Sequence, residues 1–92
     1  MKDDDGWRFF IKLCLQLKSE KEMEQLFDLF LTIEEKNLLA SRYKIIQGLL
    51  ENKLPQREMA KQYNVSIAQI TRGSNALKRI DPKFERFLRK LL

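Results

Sequence analysis

The stretch SIAQITRGSNALKR, Ser66 to Arg79, has apolar residues at helical spacing and a glycine in its middle. A glycine inside a helix costs about 1 kcal/mol relative to alanine, and Arg72 stands directly before this one. A helix rich in cationic and amide side chains accepts that weakening for one of two reasons. Either another backbone crosses closely at Gly73, or something flat presses where a Cβ would sit. Upstream, Asn52-Lys53-Leu54 interrupts an apolar pattern, and Pro55 falls where a first helical turn tolerates it. QREMAKQY follows, then Asn64-Val65, then Ser66 as the next N-cap. Residues 55–79 therefore predict a short helix, a tight turn and a second helix. Met59, Tyr63, Val65 and Ile70 have the spacing to point inward, and Ala60 is small where the helices must cross. Asn64 takes the turn position that wants positive φ, which asparagine tolerates.

The rest of the chain repeats helical spacing, and nothing reads as strand. Trp7 to about Leu17 has apolar residues at 7, 10, 11 and 14 and a second set at 9, 13 and 17. Glu20 to about Leu31 follows with Met23, Leu26, Phe27, Phe30 and Leu31. Thr32 and Glu35 form a capping box for a helix running to about Asn52. That helix has two apolar stripes, Leu39, Tyr43, Ile46 and Leu50 on one side and Leu38, Ile45 and Leu49 on the other. Such wide apolar arcs exceed what 92 residues cover alone. Either the bundle is tight and leaves leucines exposed, or the N-terminal helices interlock with those of a twin chain. The second is the reading adopted.

Composition narrows the function. Hydrophobic residues are 43% of the chain and charged residues 34%, which is globular. No apolar run approaches the ~20 residues that cross a bilayer, and MKDDDGW is acidic where a secretion signal is basic. A cytoplasmic protein without a membrane partner is expected. The single cysteine, Cys14, lies between leucines and reads as a small buried hydrophobe. There is no histidine, and the carboxylates are scattered, which argues against an enzyme and against a transition-metal site. Asp3–Asp5 reads as a solvated terminus rather than a cation site. Charge is unevenly placed: residues 1–52 carry a net −2, residues 53–80 a net +5 and residues 81–92 a net +2. The C-terminal half is the face for a polyanion.

With that charge, the helix pair reads as a helix-turn-helix whose second helix enters the major groove of double-stranded DNA. Its first residues, Ile67, Ala68, Gln69 and Thr71, lie near base edges, and Arg57 reaches a guanine or a phosphate. Lys61, Lys78 and Gln56 suit phosphate, which fixes position without reading sequence. Ile67 and Ala68 have no side-chain donors, so readout there passes through backbone amides and bridging water. The bland alternative is an ordinary helical hairpin with a solvated basic face.

At this point ITRGSNALK, Ile70 to Lys78, resembles the signature of the bacterial tryptophan repressor family, with QRE at 56–58 at the matching distance before it. LFLT at 29–32 and SRYKIIQGLLE at 41–51 also match the family's pattern. The resemblance covers roughly Leu26 to Leu92, beyond a divergent N-terminal arm. It implies an all-α, six-helix chain forming an intertwined homodimer. Residues 1–92 then form a single domain, with 7–52 and 81–92 as dimerisation core and 55–79 as helix-turn-helix. It also implies L-tryptophan as the corepressor of a DNA-binding repressor of tryptophan-biosynthesis or salvage genes, with operator DNA as partner and no further cofactor.

Carried over by position, Arg42 and Arg72 flank the indole, and Arg72, helped by the Thr32 hydroxyl, takes the carboxylate. Carbonyls near Leu29 and Leu31 of the other subunit accept the ammonium hydrogens. Gly73 lets the ring lie against the helix, where a methyl group would occupy ligand volume. The chain departs from the pattern at Ala76, where the family often has a serine that helps hold the amine. It departs again at Pro55 and at Ala60, which stands where a lysine can contact DNA. Ala76 keeps open a regulator without ligand control, or one sensing another indole compound. A helical protein-interaction module is the alternative from another class. Each site residue also has a structural reading: Arg42 covering a core edge, Arg72 on a phosphate, Thr32 only a cap.

Overall fold

The computed structural model describes residues 3–92, with side chains from Asp5 onward. Helices α1 (Asp3–Gln16), α2 (Glu20–Phe30), α3 (Ile33–Glu51), α4 (Gln56–Tyr63), α5 (Ile67–Leu77) and α6 (Pro82–Leu91) follow in order. No strand occurs among the described residues. The all-helical, six-helix expectation is met. The chain forms two compact units, Met1–Lys36 and Asn37–Leu92. Helix α1 starts earlier than Trp7, at Asp3; acidic residues in a first turn suit the positive end of the helix dipole. Of the acidic triplet, the side chains of Asp3 and Asp4 lie outside the described residues.

In the first unit an aromatic cluster ties α1 to α2. Phe10 meets Phe30 edge-on with centroids 5.2 Å apart, lies 6.4 Å from Phe27, and stacks on Trp7 at 5.9 Å. The connection is short because its ends are capped. Ser19 Oγ accepts from the Glu22 amide at 3.1 Å, and Glu22 accepts from the Lys18 amide at 2.7 Å. The Leu31 amide closes α2 on the Phe27 carbonyl at 2.8 Å. Then the expected capping box opens α3: Glu35 N–H donates to Thr32 Oγ1 at 3.1 Å, and Thr32 N–H donates to Glu35 Oε1 at 2.8 Å. Lys36 donates to Asp28 at 2.6 Å. That hydrogen bond, with the aspartate's charge, holds the lysine above its ordinary pKa.

In the second unit the core is small and has one residue from each of three helices. Ile45 of α3, Met59 of α4 and Ile70 of α5 are fully buried, with Leu49, Ala60, Tyr63 and Val65 packed around them. Two glycines set how closely these helices approach. A Cβ on Gly48 would come within 2.8 Å of the Tyr63 hydroxyl and 2.9 Å of Met59 Cε. A Cβ on Gly73 would come within 2.8 Å of Ile45 Cγ2. All three distances are shorter than real Cβ contacts essentially ever are, so α3 receives α4 at its own glycine and α5 at the other's. Helix α6 starts on Asp81, which accepts from the Lys83 amide at 2.9 Å, with Pro82 in the first turn. Arg89 near its end donates to the Leu50 carbonyl at 2.5 Å. No residue of α6 is buried, and Phe84 and Phe87 are about half exposed.

Candidate nucleic-acid interface and effector cleft

The joint between α4 and α5 is fixed by backbone chemistry. Asn64 sits at φ 54°, ψ 49°, the left-handed conformation expected of it. Its amide reaches the Lys61 carbonyl at 3.4 Å while the Val65 amide reaches the Ala60 carbonyl at 3.1 Å, the paired closure of a Schellman motif. Pro55 flanks the start of α4 in extended backbone and contributes no side-chain cap. Helix α5 opens with a reciprocal box: Ser66 Oγ accepts from the Gln69 amide at 3.1 Å, and Gln69 Oε1 accepts from the Ser66 amide at 2.9 Å. The two helices are thus held at a turn with no slack.

The residues expected at DNA lie open on this pair. Gln56, Arg57, Lys61, Ile67, Ala68, Thr71 and Lys78 are exposed, and Gln69 is half-buried against its cap. Among the described residues the ion pairs are Lys36–Asp28 and Arg89–Glu85. None of the cations of α4, α5 or the segments flanking them is neutralised there, so their charge faces solvent.

On the same unit, Leu38, Leu39 and Arg42 of α3 and Arg72 of α5 line one open cleft of about 340 Å³. The volume is in the range that takes a small aromatic metabolite. The two guanidiniums named from the sequence therefore share a cavity. Leu38 and Leu39 were not singled out as site residues, although they precede Arg42 by one helical turn, a spacing that puts them on its face. At Gly73 the structure shows a close approach of α3. The space beyond its Cα is met by Ile45 Cγ2, and the residue is buried. Its missing side chain admits α3, the first of the two reasons a helix accepts such a glycine, so no ligand is needed to explain it. Ala76 is half-buried on α5 and does not line the cleft.

Thr32, Leu29 and Leu31 belong to the other unit. The Thr32 oxygen is engaged as a cap acceptor, which leaves its hydroxyl proton to donate. Leu29 stands 78% exposed on the last turn of α2, where carbonyls lack intrahelical partners.

Comparison with known proteins follows the same lines. Residues 5–92 match the family model described as Trp repressor protein. The match begins well before Leu26, so the N-terminal arm falls within the family pattern. The chain is 54% identical to the Trp operon repressor homolog of Chlamydia trachomatis serovar D over 89 residues, 97% of this chain and 95% of that protein. It is 53% identical to the homolog of Chlamydia caviae, covering 97% and 88% of the two chains. With that of Haemophilus influenzae strain PittEE the identity is 33%, over 96% and 87%.

Proposed function

The chain belongs to the Trp repressor protein family, and on that premise we propose that it is a homodimeric, DNA-binding transcriptional repressor activated by L-tryptophan. Its targets are genes of tryptophan biosynthesis or salvage. The observation that supports it most is the cleft shared by Arg42 and Arg72. Planar guanidiniums with leucines beside them suit an indole by cation–π stacking, and a guanidinium suits its carboxylate by paired hydrogen bonds. The Thr32 hydroxyl adds a donor for that carboxylate, and carbonyls near Leu29 and Leu31 of the second subunit take the ammonium.

The homodimer is supported by what the chain leaves uncovered. Leu15 is 80% exposed, Trp7 64%, Leu91 65% and Phe87 54%. Apolar side chains this open in such numbers mark an interface, and residues 7–52 and 81–92 supply it to an identical chain, interlocked. In the dimer, tryptophan seated beside each α5 fixes the two reading helices about one helical turn of DNA, ~34 Å, apart. Tryptophan activates only because it binds this arrangement better than the loose one. By linkage, operator DNA tightens tryptophan binding by the same factor. Arg57, Lys61, Lys78 and Gln56 hold phosphates while Ile67, Ala68, Gln69 and Thr71 face the bases.

Gel shifts with tryptophan, with indole-3-propionate and with no ligand test the reading. Retention of duplex only with tryptophan bears it out. Equal DNA affinity in all three conditions removes tryptophan and leaves a ligand-independent helix-turn-helix regulator. Retention with the desamino compound as strong as with tryptophan points to a wider indole specificity, which the alanine at 76 favours. Absence of duplex binding even at low salt leaves a protein-interaction module.

A further inference from the structure

We infer that Gln69 is a specificity-determining residue that reads DNA as a hydrogen-bond donor only, so that it selects bases with a major-groove acceptor and rejects cytosine. The inference rests on the DNA-binding reading above. Both lone pairs of the Gln69 amide oxygen are taken. Oε1 accepts from the Ser66 backbone N–H at 2.9 Å and from the Ser66 hydroxyl at 3.3 Å. A backbone N–H can only donate, so the atom facing it must be the oxygen, and the orientation of the amide is settled by chemistry. What is left over is Nε2. It has no partner among the described residues, yet no unpartnered side-chain nitrogen is buried there. Nε2 is therefore open to solvent, on the first turn of α5.

Its neighbours sharpen its role. Ile67 and Ala68, the other residues of that turn, have no side-chain hydrogen-bonding groups. Gln69 Nε2 is the one polar side-chain group that turn offers to a base. A free glutamine recognises adenine by donating to N7 while accepting from N6. Gln69 has lost the accepting half of that pattern to its own helix cap. It can donate to guanine O6 or N7, to adenine N7, or to thymine O4. It has nothing to offer cytosine, whose major-groove edge presents only the N4 amine.

The test uses Gln69→Glu. A carboxylate in place of the amide still accepts from the Ser66 amide, since glutamate and glutamine serve equally in a capping box. It carries no proton to donate at neutral pH, and an acidic side chain pairs with cytosine N4. The full-length wild-type protein and the variant are each used, with tryptophan present, to select binders from a randomised duplex pool. Circular dichroism confirms that both melt alike. The expected result is one position per half-site at which the wild type depletes cytosine by roughly fivefold, the value of one hydrogen bond, and at which the variant enriches it. Added negative charge weakens the variant on every sequence, but base enrichment is a ratio and cancels that effect. If wild type and variant select the same bases, or the wild type selects none, the inference about Gln69 is overturned while DNA binding stands. If the wild type retains no duplex at all, this inference and the proposed function fall together.

Discussion

Gly73 shows how one unusual residue can answer to more than one cause. From the sequence alone, a crossing helix and a flat ligand were both open, because each asks only for a missing Cβ. The structure puts Ile45 Cγ2 there, and a methyl on a β-branched carbon has little freedom to move. Gly73→Ala gains helix propensity of about 1 kcal/mol but overpacks the core at a cost of about 1–3 kcal/mol. We predict a net loss of stability in urea titration, a loss that disappears when the same substitution is made in an Ile45→Ala background, where the obstructing methyl is gone. A gain in stability from Gly73→Ala alone would mean the helices are not in contact there. The two cleft arginines make a separate prediction. Arg72→Ala should weaken tryptophan binding, measured by calorimetry, by roughly tenfold or more, the value of a hydrogen bond to a charged group. Arg42→Lys keeps charge but loses the stacking plane and should weaken it as well. Unchanged affinity in both would move the effector away from this cleft. Their pairing was legible because a family motif names both residues. That leucines complete the cleft was legible only from helical spacing.

The elements themselves were the most readable part, because caps and turns are local chemistry. The capping boxes at Thr32 and Ser66 and the left-handed Asn64 need no distant partner to form. Ser66→Ala should lower stability by about 1 kcal/mol, as loss of an N-cap does. It also removes one of the two bonds that orient Gln69. Asn64→Gly should be close to neutral, while Asn64→Ala should cost about 1 kcal/mol, since alanine pays for a left-handed backbone. If both variants melted alike, the turn would not hold the conformation described. Less readable was the extra turn at the start of α1, where no apolar residue marks the helix. Periodicity reports burial, and a turn without apolar residues leaves no such trace. The crossing at Gly48 was beyond local reading, and that at Gly73 was one of two options, because both depend on where three helices meet.

At the scale of the molecule, exposure and charge decide the predictions. The apolar arcs that seemed too wide for the chain length do remain open, from Trp7 on α1 to Leu91 on α6. Sedimentation should therefore give twice the chain mass. Leu15→Glu together with Phe87→Glu should dissociate it by placing charges in the interface. DNA affinity should fall steeply with salt, because the unneutralised cations of the second unit displace counterions from the duplex; a flat response would deny them a phosphate role. The sequence could not reveal how small the buried core is, since apolar patterning does not distinguish an inner face from a waiting interface. That core turns on Met59, only 1% exposed, where α3, α4 and α5 meet. A thioether so enclosed is out of reach of peroxide until the corner opens, whereas half-buried Met23 on α2 already reaches solvent. The ratio of the two sulfoxides, followed by mass spectrometry, becomes a clock for that opening. Each oxidation at the hidden sulfur also wedges a polar oxygen into the joint, so old preparations should lose their grip on DNA before they visibly unfold.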